Sequence, residues 1–218
     1  YCAITIGFSW DEGFLIKQGK NTADYLLSLG LNDQDNLFRS EFYSPIYYSL
    51  RYLFVQSIPA AYQIEANHLV NLFFSLATII GIKKICELFF NKEVGKLVFL
   101  VLFFFPAFFG HMGFNSKDTI IAFCNIWIFY SAIKYTLFKE KKYIYYISIL
   151  AAVGTGLNLF FLGSLIPLII FFLMELFIFK KFSQNSLNKK EFFISLLKGF
   201  LIFYLLLVLF WIDTHQNI

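Results

Sequence analysis

The chain has 218 residues, of which 59% are hydrophobic, 22% aromatic and only 15% charged, with a formal net charge of +4. A typical soluble domain is about 25% charged and keeps a polar surface. The composition therefore excludes an ordinary soluble globule, a disordered chain and a disulfide scaffold, and the continuous apolar blocks argue against the alternating strands of a membrane β-barrel. We expect an all-α, polytopic transmembrane helix bundle.

The apolar blocks predict a single transmembrane domain over 1–218, with one partial span at 1–8 and a long loop at 9–64. A spanning helix needs about 20 apolar residues, so six full spans are predicted at 66–85, 97–114, 119–138, 143–157, 162–179 and 192–211. Pro106 is expected to kink the second full span. The block from 143 to 179 is too long for one crossing and is expected to fold back near 154–164. We expect the chain to be an internal, N-terminal-side fragment of a longer protein.

The placement of lysine predicts which side of the membrane each loop faces. The segments 83–96, 134–142 and 180–198 hold 13 of the 18 basic residues, whereas the alternating segments hold nine of the 14 acidic ones. Basic loops stay in the cytoplasm, so the loop at 9–64 and the turn at 110–118 are expected on the extracytoplasmic face. The lysine runs are explained better as topology signals beside anionic lipids than as nucleic-acid patches, and no nucleic-acid partner is expected.

Two neighbouring carboxylates, Asp11 and Glu12, directly follow the first apolar stretch at a predicted membrane–water boundary. Partial desolvation there raises the pKa of a carboxyl group toward the range of a general base, which makes both residues catalytic candidates. Solvated end charges or helix-start residues explain the same positions. In the rest of the loop, 14–40 predicts a short surface helix and the aromatic segment 42–64 predicts an interfacial helix.

The predicted outer turn at 110–118 carries more ionisable groups than a tight turn needs. Lys117 is suited to holding a phosphate oxygen, and Asp118 to binding a divalent cation, Mg²⁺ or Mn²⁺, or the donor itself. His111 and Asn115 are candidates for hydrogen bonds to a sugar or phosphate. Asp118 is equally explained as a helix cap.

A third polar group lies at the outer mouth of the first full span. Glu65, His68 and Asn71 are three residues apart, so they share one helix face. Inward-facing polar groups at the end of a membrane helix are often functional, which makes His68 and Asn71 candidate substrate ligands. Hydrogen bonding between helices explains them equally well.

The ordered set of these motifs resembles the GT-C membrane glycosyltransferases, which include dolichyl-phosphate-mannose–protein mannosyltransferases and bacterial aminoarabinose and lipopolysaccharide-sugar transferases. The likeness is greatest to a bacterial group of that superfamily and covers about residues 9–138. The motifs, in chain order, are Asp11-Glu12, Tyr43-Ser44-Pro45-Ile46-Tyr47, His68-Leu69-Val70-Asn71, Pro106 through Gly110-His111, and Asn115-Ser116-Lys117-Asp118.

The resemblance implies an integral protein of the bacterial inner membrane with its active site on the periplasmic face. It implies transfer of a sugar from a polyprenyl-phosphate donor to a glycan, lipid or protein acceptor, with no cofactor other than the divalent cation considered above. Asp11 or Glu12 would be the base, Asp118 the second acid, and Lys117 the partner of the donor phosphate. The alternative functions are a multi-span transporter or lipid flippase and a structural membrane subunit.

Overall fold

The computed structural model describes residues 10–28, 46–113, 116–179 and 188–210, together with Thr5 and Gly7. All regular secondary structure in this part of the chain is helical, which confirms the all-α fold class. The α-helices are α1 Trp10–Leu27, α2 Ile46–Gln56, α3 Gln63–Phe89, α4 Lys92–Phe104, α5 Pro106–His111, α6 Ser116–Phe138, α7 Lys142–Leu157, α8 Phe161–Met174 and α9 Lys189–Phe210. A 3₁₀ turn, Ala60–Tyr62, precedes α3, and a π-helical turn, Glu175–Phe179, continues α8.

Four helical stretches are long and apolar enough to cross a bilayer, which agrees with an integral membrane protein. They are Ala60–Phe89, Lys117–Phe138, Phe161–Phe179 and Lys189–Leu209, and they coincide with four of the six predicted full spans. The other two predicted spans form shorter helices, since α4 has 13 residues and α7 has 16. At about 1.5 Å per residue these helices reach roughly 20 and 24 Å, less than a hydrocarbon core of about 30 Å. The predicted count of six full spans is therefore not confirmed, and the predicted partial span falls almost entirely outside the described residues.

The chain changes direction at both places where the sequence predicts a break. Phe105 has an extended backbone between α4 and α5, because the residue before a proline disfavours the helical conformation, and Pro106 then starts the next helix. Asn158 is extended between α7 and α8. A side chain at Gly154 would collide with the ring of Phe161, so this glycine lets α8 turn back closely against α7.

Helix α6 lies at the centre of the bundle and packs against α3, α7 and α8. The main buried cluster consists of residues from α6, α7 and α8, namely Ile120, Cys124, Ile128, Ala151, Leu157, Phe161 and Leu165. Gly81 of α3 lies directly against Ile126 of α6, and the indole N–H of Trp127 donates a hydrogen bond of 3.1 Å to the carbonyl of Ala77. Helix α1 packs on α2, which in turn packs on α3 and α7, so the predicted outer loop is attached to the bundle.

Candidate functional site

A stripe of buried polar side chains runs along one face of α3, although most of that helix is apolar. His68, Asn71, Ser75 and Thr78 are almost completely buried. Their spacing of three, four and three residues keeps them on the same face of the helix. Buried polar groups need hydrogen-bond partners. Thr78 donates to the carbonyl of Phe74 in the same helix, whereas His68, Asn71 and Ser75 have partners from distant parts of the chain.

The first partner is Glu12 of α1. Its carboxylate Oε1 lies 2.7 Å from Nε2 of His68, and the two residues are 2% and 0% exposed. The distance is typical of a charge-assisted hydrogen bond. Glu12 also lies in the first turn of α1, where the helix dipole favours negative charge. The pair therefore attaches the start of α1 to α3.

Helix α1 can reach this position because it lies unusually close to α2. A side-chain carbon at Gly19 would be 2.5 Å from the carbonyl oxygen of Tyr48, so only glycine allows the two backbones to approach to this distance. Asp11, the other predicted catalytic residue, belongs to the first turn of α1, but its side chain is outside the described part of the structure.

Asn71 joins three separate segments. Its Oδ1 accepts hydrogen bonds from the hydroxyl of Tyr47 at 3.3 Å and from Nη1 of Arg51 at 3.4 Å, both on α2. Its Nδ2 donates to the carbonyl of Gly113 at 3.1 Å, in the turn after α5. Ser75 strengthens the same junction, because its hydroxyl lies 3.1 Å from the carbonyl of Met112 and 2.9 Å from that of Asn71. The outer loop and the outer turn therefore meet on α3. The side chains that connect them form a polar junction, which consists of Glu12, Tyr47, His68, Asn71 and Ser75.

Burial raises the pKa of Tyr47 to about 12, and the nearby Arg51 opposes this rise only in part. The phenol consequently stays protonated at neutral pH and can donate its hydrogen bond to Asn71. Arg51 itself is 4% exposed, and its guanidinium carbon lies 5.8 Å from the ring centre of Tyr47 and 5.5 Å from that of Tyr48. These are cation–π distances.

The predicted residues of the outer turn lie at less buried positions than the side chains bonded to Asn71. His111 is exposed at the end of α5, Lys117 is half-buried and Asp118 is exposed in the first turn of α6. Asn115 lies outside the described residues. Within the described ranges, no group of three His, Cys, Asp or Glu side chains is arranged to hold a metal ion, so a cation at Asp118 stays a prediction.

Glu12, His68 and Asn71 are among the site residues predicted from the sequence. Tyr47 was predicted only as part of the aromatic motif at 43–47, and Arg51 and Ser75 were not predicted. A signal for Ser75 was present, because it continues the helical spacing of His68 and Asn71. A signal for Arg51 was also present, because it is one of only two arginines in a chain with 16 lysines. Its partner was not visible, because 20 positions separate it from Asn71.

The sequence matches no protein-family model, no curated protein and no solved structure. The likeness to GT-C glycosyltransferases is therefore carried by the motifs alone. Functional assignment depends on the geometry of the polar junction and on general chemistry.

Proposed function

We propose that this protein is an integral-membrane glycosyltransferase that moves a sugar from a polyprenyl-phosphate donor to an acceptor hydroxyl. The observation that supports it best is the joining of the outer loop and the outer turn by Glu12, His68 and Asn71 at one end of α3. Two acid-bearing segments, distant in sequence, are thereby attached to the same helix face. A transferase needs such an arrangement, because the base and the donor-binding groups must act on one sugar.

In the proposed reaction, a carboxylate takes the proton from the acceptor hydroxyl. The hydroxyl oxygen of the acceptor attacks the anomeric carbon of the donor sugar at the same time. The bond between that carbon and the phosphate oxygen breaks, and polyprenyl phosphate leaves with the electron pair. Attack opposite the leaving group inverts the anomeric centre. The charge that develops on the phosphate requires cationic or hydrogen-bonding groups beside it.

Asp11 is the better candidate for the base. The carboxylate of Glu12 is enclosed and bonded to His68, so an acceptor hydroxyl has no open path to it while the pair is formed. Glu12 and His68 then act as positioning residues that attach the first turn of α1, and Asp11 with it, to α3. This division of roles follows the general rule that reacting groups are oriented by buried hydrogen bonds behind them.

The outer turn supplies the remaining proposed groups. Lys117 would neutralise the donor phosphate, with Asn115 and His111 as further hydrogen-bonding groups and Asp118 as the ligand of a divalent cation if one is used. The site would face the periplasm of a bacterial inner membrane, with the basic loops in the cytoplasm. In this arrangement α4–α5 and α7 are also membrane segments, which completes six full spans.

The location of the polar junction favours a transferase over a transporter. His68 and Asn71 lie about 8 and 12 Å along α3 from its first residue, at about 1.5 Å per residue. They are therefore close to one end of a helix of 27 residues. Transporters place their substrate sites near the middle of the bilayer, whereas a lipid-linked phosphate lies at its surface.

The test is sugar transfer by the purified protein in proteoliposomes, supplied with a panel of radiolabelled sugars on polyprenyl phosphate. Asp11→Asn is expected to lower the rate by about 10²–10⁴-fold, the range for loss of a general base. Asp24→Asn, an exposed acid on the same helix, is the matched control and is expected to leave the rate unchanged. Normal turnover by Asp11→Asn would remove Asp11 from the base role. Lipid translocation without any sugar transfer would identify a flippase instead.

A further inference from the structure

A buried guanidinium that has no carboxylate partner among the residues that the structure describes lies beside the polar junction. Arg51 is 4% exposed, and no ion pair between residues that the structure describes includes it. A buried charge is costly unless it is paired. The hydrogen bond to Asn71 and the rings of Tyr47 and Tyr48 stabilise the cation but do not neutralise it.

The guanidinium of Arg51 is suited to binding an anion. A guanidinium carries five N–H donors in a planar fork, and within the described part of the chain only Nη1 has a side-chain acceptor, the Oδ1 of Asn71. The fork matches the geometry of a phosphate, which it can hold by two parallel hydrogen bonds. A lysine such as Lys117 presents a single point charge and lacks this geometry.

Arg51 forms part of the wall of a cavity of about 250 Å³ between α1, α2 and the start of α3. The other polar residues of this wall are neutral, namely Tyr48, Tyr52, Gln56, Gln63 and Asn67, so no carboxylate lines the cavity among the described residues. Its volume is slightly below the range of about 300–1,000 Å³ for drug-sized ligands, which suits a phosphate group and the first atoms attached to it.

We infer that this cavity is a phosphate-binding site in which the Arg51 guanidinium holds the anion. The ligand is a phosphate ester or free phosphate, since both present the same charged oxygens to Arg51. The cavity lies among helices of the outer loop and at the first turn of α3, at the end of the bundle where lipid headgroups are expected. Assigning this phosphate to the sugar donor rests on the proposed transferase function, whereas the anion site itself does not.

The experiment measures binding calorimetrically on the purified protein in nanodiscs of zwitterionic lipid. The probes are inorganic phosphate and geranyl phosphate, a short isoprenoid phosphate ester, and the titration is repeated in nanodiscs that contain phosphatidylglycerol. Arg51→Gln is expected to weaken binding by about tenfold or more, because hydrogen bonds to a charged group are lost. Arg51→Lys is expected to be intermediate. Lys20→Gln, an exposed cation on α1, is the matched control and is expected to bind like wild type.

A second variant keeps Arg51 and therefore decides the outcome if Arg51→Gln does not fold. Gln56 is exposed and lines the same cavity, so Gln56→Glu places a carboxylate where it competes with the phosphate. We expect at least about a tenfold loss of phosphate affinity in this variant. Wild-type affinity in Gln56→Glu, or in a folded Arg51→Gln, would overturn the site, as would the absence of binding of either probe to the wild-type protein.

The probes also separate the two sources of phosphate. Equal affinity for inorganic and geranyl phosphate indicates a site for free phosphate, whereas a preference for geranyl phosphate or competition by phosphatidylglycerol indicates a lipid-borne ligand. Because sugar transfer is not the readout, Arg51-dependent binding in a protein without transferase activity would keep this site and refute the proposed function. Sugar transfer by a protein whose phosphate binding does not depend on Arg51 would refute the anion site and keep the proposed function.

Discussion

The carboxylate of Glu12 lies 2.7 Å from the imidazole Nε2 of His68, although 56 positions separate the two residues in the chain. Both side chains are buried, and each supplies the other with a polar partner. The pair joins the first described helix of the outer loop to the longest helix of the bundle. The coupling free energy between Glu12 and His68 therefore measures how strongly this pair attaches the outer loop to the bundle.

We expect Glu12→Ala and His68→Ala each to lower the free energy of unfolding by about 3 kcal/mol, because either change removes one partner of a buried, hydrogen-bonded pair. The double variant is expected to lose little more than either single variant. Denaturant titration in detergent, followed by circular dichroism, measures the three values. If the loss of unfolding free energy in the double variant equals the sum of the two single losses, the two side chains are not coupled. Asp24→Ala, an exposed acid on α1, controls for loss of charge from this helix.

Asn71→Ala is expected to loosen the outer turn as well as the outer loop. It removes the hydrogen bonds with Tyr47, Arg51 and Gly113, at a cost of about 2–3 kcal/mol. Hydrogen–deuterium exchange should become faster in the peptide that contains Gly113. Leu69→Ala, which removes a side chain 46% exposed on the same helix, should leave that exchange rate unchanged. Equal exchange rates of the Gly113 peptide in Asn71→Ala and Leu69→Ala would contradict the role of Asn71 in joining the outer turn to α3.

The raised pKa of Tyr47 predicts a loss of stability in alkali. The folded state holds this phenol neutral up to a pKa of about 12, whereas the ordinary value is 10.0. The stabilisation is therefore complete below pH 10 and is lost as the pH rises from there to 12, up to about 3 kcal/mol at about 1.4 kcal/mol per unit. Tyr47→Phe should remove this part of the pH dependence. The phenolate absorbance difference between wild type and Tyr47→Phe reports the titration directly, and a midpoint near pH 10 would refute the burial effect.

Gly81→Ala is expected to separate α3 from α6. The added carbon would lie 2.6 Å from a methyl carbon of Ile126, so one of the two helices must move. We expect a cost of about 1–3 kcal/mol, the usual range for overpacking. Gly163→Ala is the control, because no atom lies within 4 Å of its added carbon and alanine favours the helix. Thermal unfolding of both variants in the same detergent makes the comparison, and an equal effect at the two sites would contradict close packing at Gly81.

The predicted orientation is tested by single cysteines at two exposed positions. Ser57, after α2, is expected on the extracytoplasmic face, and Lys92, at the start of α4, in the cytoplasm. An impermeant thiol reagent applied to intact cells should therefore label Ser57→Cys and spare Lys92→Cys. Labelling of Lys92→Cys with protection of Ser57→Cys would invert the topology and move the candidate site to the cytoplasmic side.

Local sequence was sufficient for the helices and their breaks. Continuous apolar blocks predicted α3, α6, α8 and α9, because helix formation and membrane insertion depend on the composition of neighbouring residues. Pro106 predicted the interruption before α5, because the residue that precedes a proline disfavours the helical conformation. The predicted span at 143–157 agrees with α7 to within one residue, whereas the predicted span at 97–114 is divided between α4, which begins earlier at Lys92, and α5.

The sequence by itself determined that the chain is an apolar helical bundle with a polar stripe of His68 and Asn71 on α3. Only the tertiary structure decided that Glu12 is enclosed against His68, that Arg51 lines a cavity, and that Asn71 joins Arg51 to the outer turn. The physical reason is that a helix face depends on residues three and four positions apart. A hydrogen bond across 20 or 56 positions depends on how whole helices pack.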